Sequence, residues 1–170
     1  ADLNRWREVT LLAAAKRTRG GKGTVWLMVD ELCPDGPDAG SAAEEAPAAR
    51  GALLAGQVLL ESADLARVSA GNRPKVERVR RWQKALLAHP ALPDNERAAA
   101  GRALADLGDD RPEVMAVDAM QFCLVPGGPF RMGEGDSLHT NAHLAGDFWL
   151  GRYPVTNAQF ATFVDDHGYD

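Results

Sequence analysis

Cysteine is scarce in this chain: Cys33 and Cys123 are the two in 170 residues. Neither belongs to a CxxC pair or has histidine at ligand spacing, so local sequence prepares no dithiol and no thiolate metal site. Both are read as small buried hydrophobes. Long apolar runs are missing too, and no signal-peptide pattern opens the chain, which speaks against a membrane span and for a cytoplasmic protein. Aromatics make up 6% of residues and histidines number four. What remains is ordinary globular composition, 45% hydrophobic and 25% charged. The chain begins at "ADLNRW" without Met and stops at "DDHGYD", and is expected to be part of something longer.

Positive charge is lacking in one half only. Residues 1–109 carry 16 Lys and Arg against 15 Asp and Glu, whereas residues 110–170 carry 3 against 9. The net charge of −5 therefore sits in the second part, and a global nucleic-acid footprint would need the opposite sign. The asymmetry divides the chain into a helical region over 1–109, a linker over 110–119 and a second domain from 120 to 170.

Helical periodicity dominates the first region. "NRWREVTLLAAAKR" spaces Trp6, Val9, Leu12 and Ala13 along one stripe. "TVWLMVDEL" does so with Val25, Met28, Val29 and Leu32 and ends before Pro34. Pro47 suits the first turn of the next helix, which carries Leu54, Val58 and Leu65. "RPKVERVRRWQKALL" aligns Val76, Val79, Trp82 and Leu86. A last helix is expected from Asp94, as N-cap, to Gly108. The Ala-rich "RAAAGRALADLGD" allows close helix approach and resembles the second helix of HEAT-type repeats. Stacked helical hairpins are expected, without a clean repeat period.

Motifs that invite functional readings here are weak. "RTRGGKGT" imitates a phosphate loop, but Lys22 is followed by Gly23 where a Walker motif needs Ser or Thr. "RPKVERVRRWQK" holds six basic residues against one acidic, arranged around an apolar stripe, and is read as a solvated helix face rather than a nucleic-acid contact.

After "DDRPEV" the pattern becomes extended. "MQFCLV" alternates Met120, Phe122 and Leu124 against Gln121, Cys123 and Val125. Pro126-Gly127-Gly128 predicts a type II-like turn into "PFRMG", hence a hairpin over about 120–133. "EGDSLHTNAHLAG" is expected as a polar loop and "DFWLGRYPV" as a strand ending at Pro154. Thr156 and Gln159 have the spacing of a capping box, and Val155 and Phe160 that of a hydrophobic staple. Phe160, Phe163 and Val164 share one face of the helix that follows.

"VPGGPFRMG", then "HLAGDFWLGRYPVTNAQFATFV" and "HGY", resembles the start of the formylglycine-generating-enzyme (sulfatase-modifying factor) family, over roughly residues 120–170. The resemblance implies an α+β fold related to C-type lectins, rich in loops and often calcium-stabilised, of which this chain holds the N-terminal part. The preceding helices resemble, more loosely, the tail of NACHT-type signalling ATPases, which carry such domains C-terminally. The same scaffold serves variable proteins diversified by retroelements.

Relatives that oxidise a substrate cysteine use a copper-binding cysteine pair late in the domain, and Cys123 matches neither position. Another branch adds a helical iron module with a His-x3-His-x-Glu pattern, whereas the helical region here has only His89. His139 and His143, four apart, would suit a metal only on a helix, and a loop is expected there. Asp165, Asp166, His167 and Asp170 are read as a solvated helix end. No catalytic or metal-binding residue is thus assigned, and the ligand-binding residues are left open. The expectation is a non-catalytic recognition protein, with no cofactor in this chain and calcium only in a complete domain. Its partner would be a protein or small-molecule ligand, with the domain completed by the same polypeptide or a companion chain. The alternative is a copper-dependent oxidase or non-haem iron enzyme whose catalytic part lies outside this chain.

Overall fold

A computed structural model describes residues 3–18, 23–38 and 45–168. The chain is α+β and divides into two compact units, 1–109 and 110–170. The first contains α1 (Leu3–Thr18), α2 (Thr24–Leu32), α3 (Ala46–Ser62), α4 (Arg73–Leu86) and α5 (Asp94–Gly108). The second contains α6 (Pro112–Met115), β1 (Phe122–Val125), β2 (Phe130–Met132), β3 (His139–Asn141), β4 (Phe148–Gly151) and α7 (Asn157–Asp165).

In the first unit α3 is central, packing on α1, α2, α4 and α5. Its sequence, "APAARGALLAGQVLLES", is apolar on nearly every side, as a surrounded helix must be, and Ala49 to Leu59 is buried but for Arg50 and Gln57. Small residues set the helix spacing. A Cβ on Gly51 would lie 2.4 Å from the Leu32 carbonyl oxygen, so this glycine lets the end of α2 rest on α3. The core is filled by Leu59, Leu86, Leu104, Val58 and Val79. The expected stripes of α2 and α4 are the buried ones, with Met28, Leu32 and Val76 partly covered.

Three helix details differ from the sequence reading. In α1 the inward residues are Leu11 and Ala14, while Val9 and Leu12 are exposed. Arg7 belongs to the inward stripe and bonds Gln57 of α3, so a long-range polar contact helps choose the face. The side chain of Trp6 lies outside the described residues. Pro93, not Asp94, occupies the N-cap position of α5; Asp94 is inside the first turn, where it bonds Arg97. Leu65 sits in a separate 3-10 turn, Leu65–Arg67, beyond the end of α3.

The second unit has two antiparallel ribbons, β1 with β4 and β2 with β3. The expected hairpin over 120–133 therefore does not form: β1 and β2 are consecutive but each pairs with a later strand. Gly127 explains the detour. It shows no positive φ, so the type II-like turn is absent. A Cβ there would instead lie 2.5 Å from the Ala145 carbonyl oxygen. Gly127 N–H donates to Asp147 Oδ1 at 2.8 Å and Gly128 N–H to the Leu144 oxygen at 2.8 Å. The Pro-Gly-Gly segment is thus a flat surface on which residues 144–147 lie. The expected loop at 139–143 contains β3, with Met132 opposite His139. The stretch 110–119, read as a linker, holds α6, whose helical start Pro112 favours.

Candidate functional site

Interlocked hydrogen bonds around Thr156 organise the second unit. Two residues after Pro154, Thr156 has extended backbone at φ −86° and ψ 161°, and α7 begins immediately after it. Thr156 Oγ1 accepts from Gln159 N–H at 3.2 Å, and Gln159 Oε1 accepts from Thr156 N–H at 3.1 Å, closing the expected capping box. The same two side chains reach α6. The Thr156 hydroxyl donates to the Val114 carbonyl at 2.6 Å, and Gln159 Nε2 donates to the carbonyls of Glu113 and Ala116, each at 3.2 Å. Gln159 is 3% exposed, so this amide spends its polar capacity inside the fold. The staple residues Val155 and Phe160 stay exposed.

The C-terminal end of α7 is capped as neatly. His167 has φ +56°, its N–H donates to the Val164 carbonyl at 3.1 Å, and Gly168 N–H donates to the Phe163 carbonyl at 3.0 Å. These two bonds define a Schellman motif with histidine in the left-handed position. Asp165 and Asp166 lie exposed beside it; Asp170 is outside the described residues.

His139 faces a local backbone carbonyl, and His143 is met by a neighbouring side chain. His139 Nδ1 lies 2.8 Å from the Ser137 carbonyl, and His143 N–H donates to Asn141 Oδ1 at 3.0 Å. The two cysteines fall in different units, Cys33 buried and Cys123 exposed on β1. Burial pushes the Cys33 thiol above its ordinary pKa, against the opposing pull of Arg78. Among the described residues no three His, Cys, Asp or Glu side chains gather where they could hold one metal ion.

The basic helix α4 uses its charges internally. Lys75 and Arg78 converge on Asp30 of α2, Arg78 at 2.7 Å. Arg80 donates to the Leu107 carbonyl at 2.8 Å and pairs with Glu77, and Arg81 reaches Asp38 at 3.5 Å. Burial raises the Asp30 carboxyl, but hydrogen bonds from Lys75 and Arg78 outweigh it and hold the group below its usual value. Most of the segment "RGGKG" lies outside the described residues, and Thr24 begins α2.

Apolar surface is the other property of the second unit. On one face of the β1–β4 ribbon stand Phe122, Leu124 and Trp149; on the other stand Cys123, Val125, Phe148 and Leu150, as the register requires. Trp149 is 66% exposed and Leu150 60%. Strands apolar on both faces belong inside a domain rather than on its surface. A 300 Å³ apolar hollow lies beside them, lined by Val125, Pro126, Phe130, Leu144 and Phe148 among others. No helix among the described residues is long and apolar enough to cross a membrane.

Comparison with known proteins points to the same part of the chain. The family described as "Sulfatase-modifying factor enzyme 1-like domain" matches residues 110–170. Hercynine oxygenase of Mycolicibacterium smegmatis (strain ATCC 700084 / mc(2)155) is 42% identical over 79 residues, which cover 41% of this chain and 18% of that protein. The chain therefore spans less than a fifth of the length of this curated relative. No solved structure matches. The Thr156–Gln159 clasp, the Gly127 crossing and the two ribbons together belong to a sulfatase-modifying factor enzyme 1-like domain, which occupies the C-terminal part of this chain.

Proposed function

We propose that this chain serves recognition rather than catalysis: a helical unit carrying the first part of a sulfatase-modifying-factor-like, C-type-lectin-related scaffold that binds a ligand. The observation that supports this reading is how the polar side chains of residues 110–170 are used. Thr156, Gln159, Asn141 and Asp147 all bind backbone groups, which builds a scaffold and leaves its apolar faces for packing. In this reading the ribbons are covered by the same polypeptide or a companion chain, and calcium belongs to the completed domain. A retroelement-diversified variable protein and a NACHT-linked sensor are two forms it takes.

The second reading is an enzyme, favoured by the similarity to a protein named hercynine oxygenase. It would be a copper-dependent oxidase or non-haem iron enzyme whose reacting groups lie outside this chain. The test uses the whole encoded polypeptide that contains this sequence. Copper and iron are quantified by elemental analysis. Oxygen uptake is followed with a cysteine-containing peptide plus copper, and with hercynine plus ferrous iron. Recognition predicts no stoichiometric redox metal and no uptake above the protein-free rate. Turnover with either substrate refutes it in favour of the enzyme.

A further inference from the structure

We infer that Asp35–Gly36, in the segment that follows α2, is a modification site: its aspartate isomerises spontaneously to isoaspartate, the substrate class of the carboxyl methyltransferases that repair such bonds. This is the one Asp–Gly pair in the chain, and Asn–Gly does not occur. The reaction needs a backbone nitrogen that can reach the preceding carboxyl group, and glycine shields its nitrogen least because it has no Cβ. Gly36 N attacks Asp35 Cγ and a water molecule leaves, closing a five-membered succinimide. Water then adds to the α-carbonyl carbon and opens the ring on that side. The chain now runs through Asp35 Cγ, and the former peptide carbonyl has become a free carboxylate. One water is lost and one is gained, so the step takes no oxidant or reductant and leaves the net charge unchanged.

The fold leaves both reacting groups at liberty here and engages them elsewhere. Asp35 is exposed at a bend, and the pair stands between Pro34 and Pro37, outside any helix. Among the described residues neither the Asp35 carboxylate nor the Gly36 N–H has a hydrogen-bond partner. By contrast the Asp30 carboxylate is taken by Lys75 and Arg78, that of Asp94 by Arg97, and that of Asp147 by Gly127 N–H. Asp136 precedes Ser137, whose N–H donates to the Glu134 carbonyl. Within a helix the following N–H is spent on the carbonyl four residues back. The surroundings also make the change consequential. Trp82 Nε1 donates to the Asp35 carbonyl at 2.7 Å, and Cys33 Sγ lies 3.8 Å from the same oxygen. Isomerisation turns that oxygen from a peptide carbonyl into a carboxylate and lengthens the main chain by one methylene, beside a core residue, Cys33, that is 2% exposed. The inference concerns the helical unit and stands independently of the reading of residues 110–170.

The unaltered chain is incubated in warm neutral buffer beside a synthetic peptide of residues 32–38. Isoaspartate is located by electron-transfer fragmentation of tryptic peptides. It is counted by methyl transfer from tritiated S-adenosylmethionine with a protein isoaspartyl methyltransferase. Isoaspartate is expected at Asp35 of the folded chain, accumulating at a rate of the same order as in the free peptide. Gly36 has no positive φ, and an added methyl there meets only the Arg81 guanidinium, the far end of a flexible side chain. G36A should therefore keep the fold and lose most of the signal at Asp35. An unmodified Asp35 in the native chain after the peptide has largely converted overturns the proposal, as does a rate in folded G36A equal to that of the native chain. The comparison with the peptide uses the unaltered chain, so it decides the matter even if the variant fails to fold.

Discussion

The two units of this chain solve the burial problem differently. In residues 1–109 the large aliphatic side chains converge: Leu59, Leu86 and Leu104 are wholly buried around α3. Among the described residues of 110–170 the buried side chains are Val114 and Gln159, whereas Phe122, Leu124, Trp149 and Leu150 remain exposed. Roughly sixty residues make a marginal domain even when well packed. The second unit holds its local geometry by hydrogen bonds, through the Thr156–Gln159 capping box, the Gly127 crossing and a Schellman motif, and not by a core. Precise local structure and a buried interior are thus separable, and here they reside in different halves.

Core truncation gives the sharpest contrast. Leu86→Ala should cost about 2–5 kcal/mol in the helical unit, measured by urea unfolding followed through the helical circular dichroism signal. Leu150→Ala on the exposed ribbon face should change stability by no more than about 0.5 kcal/mol in the same chain. Equal costs would mean that the ribbon is packed after all. Gly51→Ala comes next: the added methyl meets the Leu32 carbonyl oxygen rather than a flexible side chain. Overpacking of this kind should cost about 1–3 kcal/mol, and an unchanged melting temperature would show that α2 can move aside.

Smaller effects probe the polar contacts. Thr156→Ala should remove about 1 kcal/mol from the second unit, seen as faster amide exchange along α7 with the amides of α4 unaffected. Asp30→Asn should cost roughly 0.5–1 kcal/mol, discounted because the carboxylate is partly exposed. Since the folded-state pKa of Asp30 is depressed, its contribution is present at neutral pH. It is lost as pH falls below the usual carboxylate value through the folded-state pKa. The wild-type and D30N stability curves should therefore converge in acid, and parallel curves would remove Asp30 from the account.

What was legible in the sequence follows from range. The Thr156–Gln159 box and the stripes of α2 and α4 are read correctly because their partners lie within one or two helical turns. Strand pairing is not, because β1 skips the next two strands to join β4 and the reason lies at Gly127, against a backbone segment eighteen residues later. The inward face of α1 depends on Arg7 meeting Gln57, and Gly51 looks like a helix flaw until the Leu32 carbonyl is placed beside it. The Arg50–Glu96 pair left no local signal either: the two residues are distant in sequence and meet only because α3 packs on α5. Family resemblance located the second unit, yet the bonds from Gln159 to Glu113 and Ala116 and the role of Asp147 emerge only from the structure.

Native-state hydrogen exchange on the 170-residue chain tests the central contrast most directly, since it reads local stability amide by amide. The account predicts that amides in α3 and α4 exchange only through global opening of the helical unit. Those of the β1–β4 ribbon should exchange through far cheaper local openings, despite their complete register from Phe122 to Val125. Protection of the ribbon equal to that of α3 would contradict it, and would mean that residues 110–170 are stabilised as fully as the helices.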